Sequence, residues 1–226
     1  SRGLGDVYKR QSLNIVVLTK TKENYSNNNL PLFGINDSTF KTFDDRPNLF
    51  TKREVRVQIL ADLEVPKNGV IWDIGAGCGS IGLEALKLSP NLDLFCIDKR
   101  IGSKELILEN SKRLGVKPKF ICEEDINNIL NTKNLSSFKK PNRLIIGGCD
   151  RKTKLQIINS LAQWMSIGDI IVIPIIDIQT IKELKEELED KNFKTNLNLI
   201  QTYKSLSIAE GIRLEPNNPV FLLKGK

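Results

Sequence analysis

The segment Asp73-Ile74-Gly75-Ala76-Gly77-Cys78-Gly79-Ser80 most narrowly limits what this chain can fold into. An apolar run from Gly69 to Ile74 leads into three alternating glycines, and a helical pattern from Ser80 to Leu88 leads out. Glycines in such a loop can take positive φ and let a ligand approach the backbone without meeting a Cβ. A strand, a glycine loop and a helix in that order open a parallel sheet. The unit then repeats. Strands are predicted over Leu92 to Asp98, Lys119 to Cys122, Arg143 to Ile146 and Ile170 to Ile176. Between them come a helix over Ser103 to Leu114 and one carrying Leu155, Ile158, Leu161, Ala162 and Met165 on one face. A charged helix over Thr180 to Lys191 turns Ile181, Leu184 and Leu188 inward. Ahead of the first strand, Thr51-Lys52-Arg53-Glu54 has the spacing of a capping box, with Val55, Ile59, Leu60 and Leu63 on one face behind it. Lys194 to Tyr203 and Val220 to Leu223, with no helix between them, predict an antiparallel pair at one edge. The expected fold is α/β: a doubly wound, mostly parallel, seven-stranded sheet with right-handed crossovers and an antiparallel edge strand.

The chemistry is read from the residues just past the strand ends. Asp98 closes the second strand, 19 residues after Gly79, where a carboxylate can accept both hydroxyls of a ribose. Glu124-Asp125 comes after the third strand, where an acidic group can meet an adenine amino group. Together they outline an adenosine pocket at the carboxyl ends of neighbouring strands. The glycines read G-x-G-x-G-x-x-G, not the bare G-x-G-x-x-G of dinucleotide sites, and Asp73 precedes them. A carboxylate there suits a ligand with a cationic amino-acid end better than a pyrophosphate, which points to S-adenosylmethionine over nicotinamide.

Composition removes other chemistries. The chain has no histidine, which excludes Ser-His-Asp and Cys-His nucleophile systems and His-containing zinc sites. Cys78, Cys96, Cys122 and Cys149 form no C-x-x-C pair and read as reduced thiols of a cytoplasmic protein, so no metal site is expected. No apolar run reaches the roughly 18 residues that span a bilayer. The net charge is +7, and residues 1–11 (Arg2, Lys9 and Arg10 against Asp6) account for +2 of it. A mildly basic surface without interleaved aromatics is weak support for nucleic-acid binding, and none is expected.

Four stretches resemble the class I methyltransferases and, more closely, the decarboxylating precorrin methyltransferases of cobalamin synthesis, the carbon-15 component. Phe50-Thr51-Lys52-Arg53-Glu54-Val55-Arg56 is similar to that family's M-T-K-x-E-V-R start, and residues 70–80 to its V-W-D-I-G-A-G-T-G-S. Ile145-Ile146-Gly147-Gly148 is similar to its fourth-strand I-G-G. Gly211-Ile212-Arg213-Leu214, with Asn218-Pro219-Val220, is similar to its G-T-R-L and N-P-V tail. The resemblance covers about residues 32–226, read as the methyltransferase domain. Residues 1–11 read as adaptor-like sequence foreign to it, and residues 12–31 as the last strand (Leu13 to Leu18) and linker of a preceding carbon-5 methyltransferase domain that this chain otherwise lacks.

The resemblance implies S-adenosylmethionine as cofactor, held by Thr51, Gly75, Ala76, Gly77, Cys78, Gly79, Asp98, Asp125 and Ile126. It implies a tetrapyrrole substrate methylated at carbon 15 with loss of carbon dioxide from the ring C acetate, whether or not the ring holds cobalt. Arg56 and Arg213 are the candidates to bind the substrate's carboxylates. No catalytic residue is assigned, and a homo-oligomer, a tetramer in the family, is expected. Three departures bear on the site: Cys78 stands where the family has Thr, Cys149-Asp150-Arg151 replaces a Gly-rich stretch, and Pro174-Ile175-Ile176 replaces A-N-A-V. Two other functions suit the same fold, an RNA or protein methyltransferase and a non-catalytic cofactor-binding scaffold.

Overall fold

The computed structural model describes residues 30–47, 50–131 and 138–226. The readings of residues 1–11 and of a strand over Leu13 to Leu18 lie outside the described residues. The elements run α1 (Arg53–Asp62), β1 (Gly69–Ile74), α2 (Ser80–Leu88), β2 (Leu92–Asp98), α3 (Ser103–Leu114), β3 (Phe120–Glu123) and α4 (Ile126–Leu130). They continue with β4 (Arg143–Ile146), α5 (Arg151–Leu161), β5 (Ile170–Ile175), α6 (Ile178–Asp190), β6 (Thr195–Ile200), β7 (Tyr203–Ile208), β8 (Gly211–Pro216) and β9 (Val220–Gly225).

Seven strands form one sheet in the order β3-β2-β1-β4-β5-β9-β6. β1 pairs in parallel with β2 on one side and β4 on the other, so the chain reverses its direction of travel across the sheet between them. β9 is antiparallel to both neighbours, β5 and β6. The antiparallel strand is therefore one in from the edge, and β6 takes the edge.

Pleating sends alternate residues to opposite faces, which makes two cores. Ile71, Leu94, Cys96, Ile145 and Val172 pack beneath α1, α2 and α3. Trp72, Ile74, Ile97, Ile146 and Ile173 pack beneath α4, α5 and α6. Each fully buried aliphatic side chain contributes about 1.5–3 kcal/mol, so two-sided burial dominates what holds the central strands. That is why these strands read as continuous apolar runs. Trp72, Phe95, Phe120 and Phe138 form an aromatic cluster on the second face, with centroids 5.3–6.3 Å apart.

Two local expectations are corrected. Thr51 does not cap α1: Lys52 holds the N-cap position without a side-chain bond, and the Thr51 carbonyl instead accepts a hydrogen bond from Arg56 Nη1 at 2.7 Å. The strand expected to run to Tyr203 ends at Ile200, and the chain turns into a separate two-stranded sheet, β7 with β8. Every residue of β7 and β8 is exposed. No helix among the described residues is long and apolar enough to cross a membrane.

Ahead of α1, residues 34–46 form a strap across α1, α2 and α3. Glu84 of α2 accepts from the amides of Gly34 and Ile35. Asn110 of α3 accepts from the Lys41 amide at 2.8 Å and donates to the Lys41 carbonyl at 2.9 Å. Arg100 clamps Asp45 with bonds of 2.5 and 2.6 Å, and its guanidinium lies 3.8 Å from the Phe43 ring centroid.

Candidate cofactor site

In open α/β sheets ligands bind outside the carboxyl ends of the strands where the order reverses, here between β1 and β4. The loop after β1 is folded against β2: the amides of Gly75 and Ala76 both donate to the Ile97 carbonyl, at 2.8 and 3.2 Å. Gly75 has φ +70°, and a Cβ there would stand 2.6 Å from the Gly148 amide nitrogen. Gly147 and Gly148 in turn donate to the carbonyls of Ile74 and Gly75, at 2.7 and 3.3 Å. The glycine pair after β4 thus packs its backbone directly against the loop after β1, which side chains would prevent. Gly77 is different. Its φ is +59°, and nothing lies within 4 Å of where a Cβ would be.

Asp98 ends β2 with one donor on each oxygen. Gly77 N–H reaches Oδ2 at 2.7 Å and Arg100 N–H reaches Oδ1 at 2.8 Å. The glycine loop and the ribose-type acid are therefore one hydrogen-bonded unit, and a carboxylate oxygen with one donor keeps a lone pair for a ligand hydroxyl. Asp125 caps α4, accepting from Asn127 N–H at 2.9 Å, and Ile126 behind it is buried.

These residues meet in one cleft of about 320 Å³, open mouth included, with Gly75, Asp98, Glu124, Asp125, Ile126 and Gly148 among its walls. Three carboxylates (Asp98, Glu124, Asp125) face it against one ammonium, Lys99. The donor set fits S-adenosylmethionine on two counts. The acidic walls suit a ligand that offers hydroxyl and amino hydrogens and a cationic centre, and they repel a pyrophosphate. The open space at Gly77 is a side-chain-free cradle beside them.

Of the residues expected to hold the cofactor, Gly75, Asp98, Asp125 and Ile126 line this cleft. Ala76, Gly77, Cys78 and Gly79 build the loop beside it. The Cys78 side chain is buried away from it, its thiol pushed up by that burial, and its carbonyl accepts from Asn110 at 2.9 Å. The exchange of Thr for Cys therefore falls on a core-facing side chain and leaves the backbone cradle intact. Thr51 is not among the cleft-lining residues.

The structure places both expected substrate contacts outside this cleft. Arg56 is fully buried, bonding Glu84 Oε2 (3.0 Å), Asp37 Oδ1 (2.7 Å) and the carbonyls of Thr51 (2.7 Å) and Ile35 (2.5 Å). Its donors serve the strap and not a ligand. Arg213 sits on the exposed hairpin, 3.8 Å from Glu215, and is not among the residues lining the cleft.

Sequence reasoning missed Lys154. Lys154 is buried on α5 and donates to the Gly147 carbonyl at 2.9 Å and the Cys149 carbonyl at 3.0 Å, pinning the turn after β4. Burial lowers its ammonium pKa, opposed by Cys149 and Asp150. Burial also pushes the Cys149 thiol, in the cleft wall, up to about 11. A signal for Lys154 exists in Asp150, whose carboxylate caps α5 through Thr153 N–H (2.9 Å) and Thr153 Oγ1 (2.9 Å), which places Lys154 in the first turn. Asp73, expected to suit a cationic ligand end, is corrected: it faces inward, fully buried, and accepts from Gly82 N–H at 3.0 Å. Burial raises its carboxyl to about 7; the Gly82 bond pulls it down and the charge of Asp98 pushes it up. Among the described residues no cluster could hold a metal ion.

Residues 42–224 match the model of the precorrin methyltransferase domain. A Saccharolobus solfataricus protein named "Probable cobalt-precorrin-6B C(15)-methyltransferase (decarboxylating)" is 30% identical over 197 residues, covering 85% of this chain and 95% of the relative. The crystal structure of a precorrin-6y C5,15-methyltransferase from Geobacter metallireducens superposes with a TM-score of 0.75 at 27% identity, over 87% of this chain and 98% of that one. The fold is shared with a precorrin 8W decarboxylase from Methanobacterium thermoautotrophicum, with a TM-score of 0.74 at 24% identity over 85% of this chain and 99% of that one. On the strength of the family match over most of its length, the chain belongs to the precorrin methyltransferase domain family.

Proposed function

We propose that this chain methylates carbon 15 of a precorrin-6 type tetrapyrrole and releases the ring C acetate as carbon dioxide, with S-adenosylmethionine held in the cleft between β1 and β4. The observation that carries the reading is the acidic cleft itself: three carboxylates and a side-chain-free loop at the switch point of a chain in this family. S-adenosylmethionine supplies an electrophilic methyl group on a sulfonium sulfur. Asp98 accepts the ribose hydroxyls, and Asp125 and Glu124 face the adenine edge. Gly75 through Gly79 let the amino-acid end lie against backbone, while Ile126 supplies an apolar wall.

The protein's contribution to transfer is alignment, which converts an encounter into a held, in-line geometry. An electron-rich meso carbon of a reduced tetrapyrrole is its own nucleophile. When carbon dioxide leaves, the electron pair of the broken C–C bond neutralises the charge that the arriving methyl leaves on the ring. Neither step needs a strong base, in keeping with a chain that has no histidine.

The working unit is a cytoplasmic homo-oligomer, a tetramer as in its family. The β7–β8 hairpin supports this: it exposes Tyr203, Leu206, Ile208, Ile212 and Leu214 and stands outside the main sheet, where two strands alone are marginally stable. The test is incubation with S-adenosylmethionine and a precorrin-6 type substrate, with and without cobalt, followed by mass spectrometry and trapping of carbon dioxide. A product gaining one methylene and losing one carbon dioxide is expected. Methylation of RNA or protein without tetrapyrrole turnover would replace this reading.

A further inference from the structure

With Arg56 buried and Arg213 beside Glu215 on an exposed strand, other cations are needed to meet the carboxylates of a macrocycle. A second and larger cleft, about 910 Å³ with its open mouth included, lies between the strap, the first turn of α1 and the start of β7. Asn36, Asp37, Arg53, Glu54 and Lys204 are among its walls.

Its walls carry two cations, Arg53 and Lys204, and two carboxylates, Asp37 and Glu54. Arg53 spends Nε on the Gly34 carbonyl at 2.7 Å, and its two terminal nitrogens have no partner among the described residues. The Lys204 ammonium makes no side-chain hydrogen bond or ion pair among them either, and Glu215 is its cross-strand neighbour. Asp37 is already committed to Arg56 Nη1. Lys52, whose ammonium lies 4.2 Å from the Phe50 ring centroid, stands close enough to Lys204 for the two to repel. Burial lowers the Lys52 pKa first, Asp37 opposes this, and Lys204 and Arg56 add to it. Lys52 and Arg56 stand beside the lining, and Arg56 is spent on Asp37 and Glu84. The terminal nitrogens of Arg53 and the ammonium of Lys204 are therefore cationic donors left open on the cleft wall, which an anionic ligand can take by charge-assisted hydrogen bonds.

The position suits the reaction. α1 feeds β1 from the sheet's amino-terminal side, so its first turn lies at the carboxyl-terminal edge, and β7 leaves β6 at that same edge. The strap joins the two clefts. Its Asn36 and Asp37 line the second, while its Lys41 is bonded to Asn110, which holds the Cys78 carbonyl of the glycine loop.

We propose that the cleft between the strap and the hairpin receives the carboxylate-bearing periphery of the tetrapyrrole, with Arg53 and Lys204 as direct contacts and Lys52 raising the local positive potential. This rests on the reading of the substrate as a tetrapyrrole. The test uses uroporphyrin, a stable polycarboxylate macrocycle, titrated by fluorescence against the parent, Lys204→Gln, Arg53→Gln and a control, Lys182→Gln on α6. S-adenosylhomocysteine is titrated calorimetrically in parallel, and melting curves confirm that each variant folds. Lys204 lies on an exposed strand, so its variant changes charge without touching the core.

Loss of about tenfold in uroporphyrin affinity for each of the two variants, a weaker salt dependence, and S-adenosylhomocysteine affinity within about twofold of the parent are expected. Parental binding of uroporphyrin by both variants overturns the cleft assignment while the tetrapyrrole reading stands. A parent that binds no uroporphyrin overturns both. An equal loss of S-adenosylhomocysteine binding overturns it too, by giving these cations to the cofactor's carboxylate.

Discussion

Replacing Arg56 by Met should unfold this protein readily, because of where its charge sits. Both Arg56 and Glu84 are fully buried, and the guanidinium makes four internal hydrogen bonds. Glu84 is left with only the amides of Gly34 and Ile35 once its cation is gone. Breaking one side of a buried pair strands the other charge in low dielectric, a cost of about 3–5 kcal/mol. For a chain of this size each kcal/mol moves the melting temperature by about 2–4 °C, so a fall of about 6–20 °C is expected. Glu84→Met should cost less, because Asp37 still pairs the guanidinium. The double variant Arg56→Met with Glu84→Met removes both charges, so its loss should fall short of the summed single losses by about 0.5–3 kcal/mol. Urea titrations followed by circular dichroism measure all three. Single variants within about 1 kcal/mol of the parent, or strict additivity in the double variant, would refute the claim that the pair is mutually supporting.

S-adenosylhomocysteine should raise the melting temperature by mass action, and Asp98→Ala should lose about 1.5–3 kcal/mol of that binding by calorimetry. An unshifted melting curve at saturating ligand would count against the cofactor site. Asp73, raised to about 7 when folded, holds its proton in the native state from its ordinary range near pH 4 up to about 7, where the unfolded chain has lost it. Stability should therefore fall as pH rises through that window, by up to about 1.4 kcal/mol per pH unit, and level off above it. Asp73→Asn keeps an acceptor for Gly82 N–H, and urea midpoints measured from pH 5 to 8 should lose that slope. On the hairpin, Ile212→Glu should shift the mass seen by light scattering toward the monomer; an unchanged mass removes the hairpin from the oligomer interface.

The cofactor half of the molecule is legible in the sequence because its signals are local. The glycine loop begins directly at the end of β1, Asp98 ends β2 and Asp125 lies two residues past β3, and strand ends converge by topology alone. Arg56 misleads for the opposite reason. In sequence it is a cation one residue from Val55 at the head of a helix, and its burial depends on Glu84, Asp37 and a backbone carbonyl at Ile35, none of them near in the chain. The hairpin is hidden because Lys194 to Tyr203 continues a strand-like pattern through Gln201 and Thr202. The turn beyond it uses Ala209 at φ +38°, a conformation that residue type does not announce. Lys154 acts through carbonyls, and carbonyl positions leave no mark in a sequence.

The stitching of the strap decides where this protein can be cut. The family model matches from residue 42, yet a fragment starting there would lose Gly34 through Lys41. Glu84 would forfeit both amide donors, Arg56 would lose Asp37 and the Ile35 carbonyl, and Asn110 would lose Lys41 on both its oxygen and its nitrogen. The space filled by Ile35 and Phe40, both buried, would open as a void against α1 and α2. The cooperative unit thus begins upstream of the recognisable one. A fragment trimmed to the recognisable stretch would express as a chain whose glycine loop has lost its outer brace.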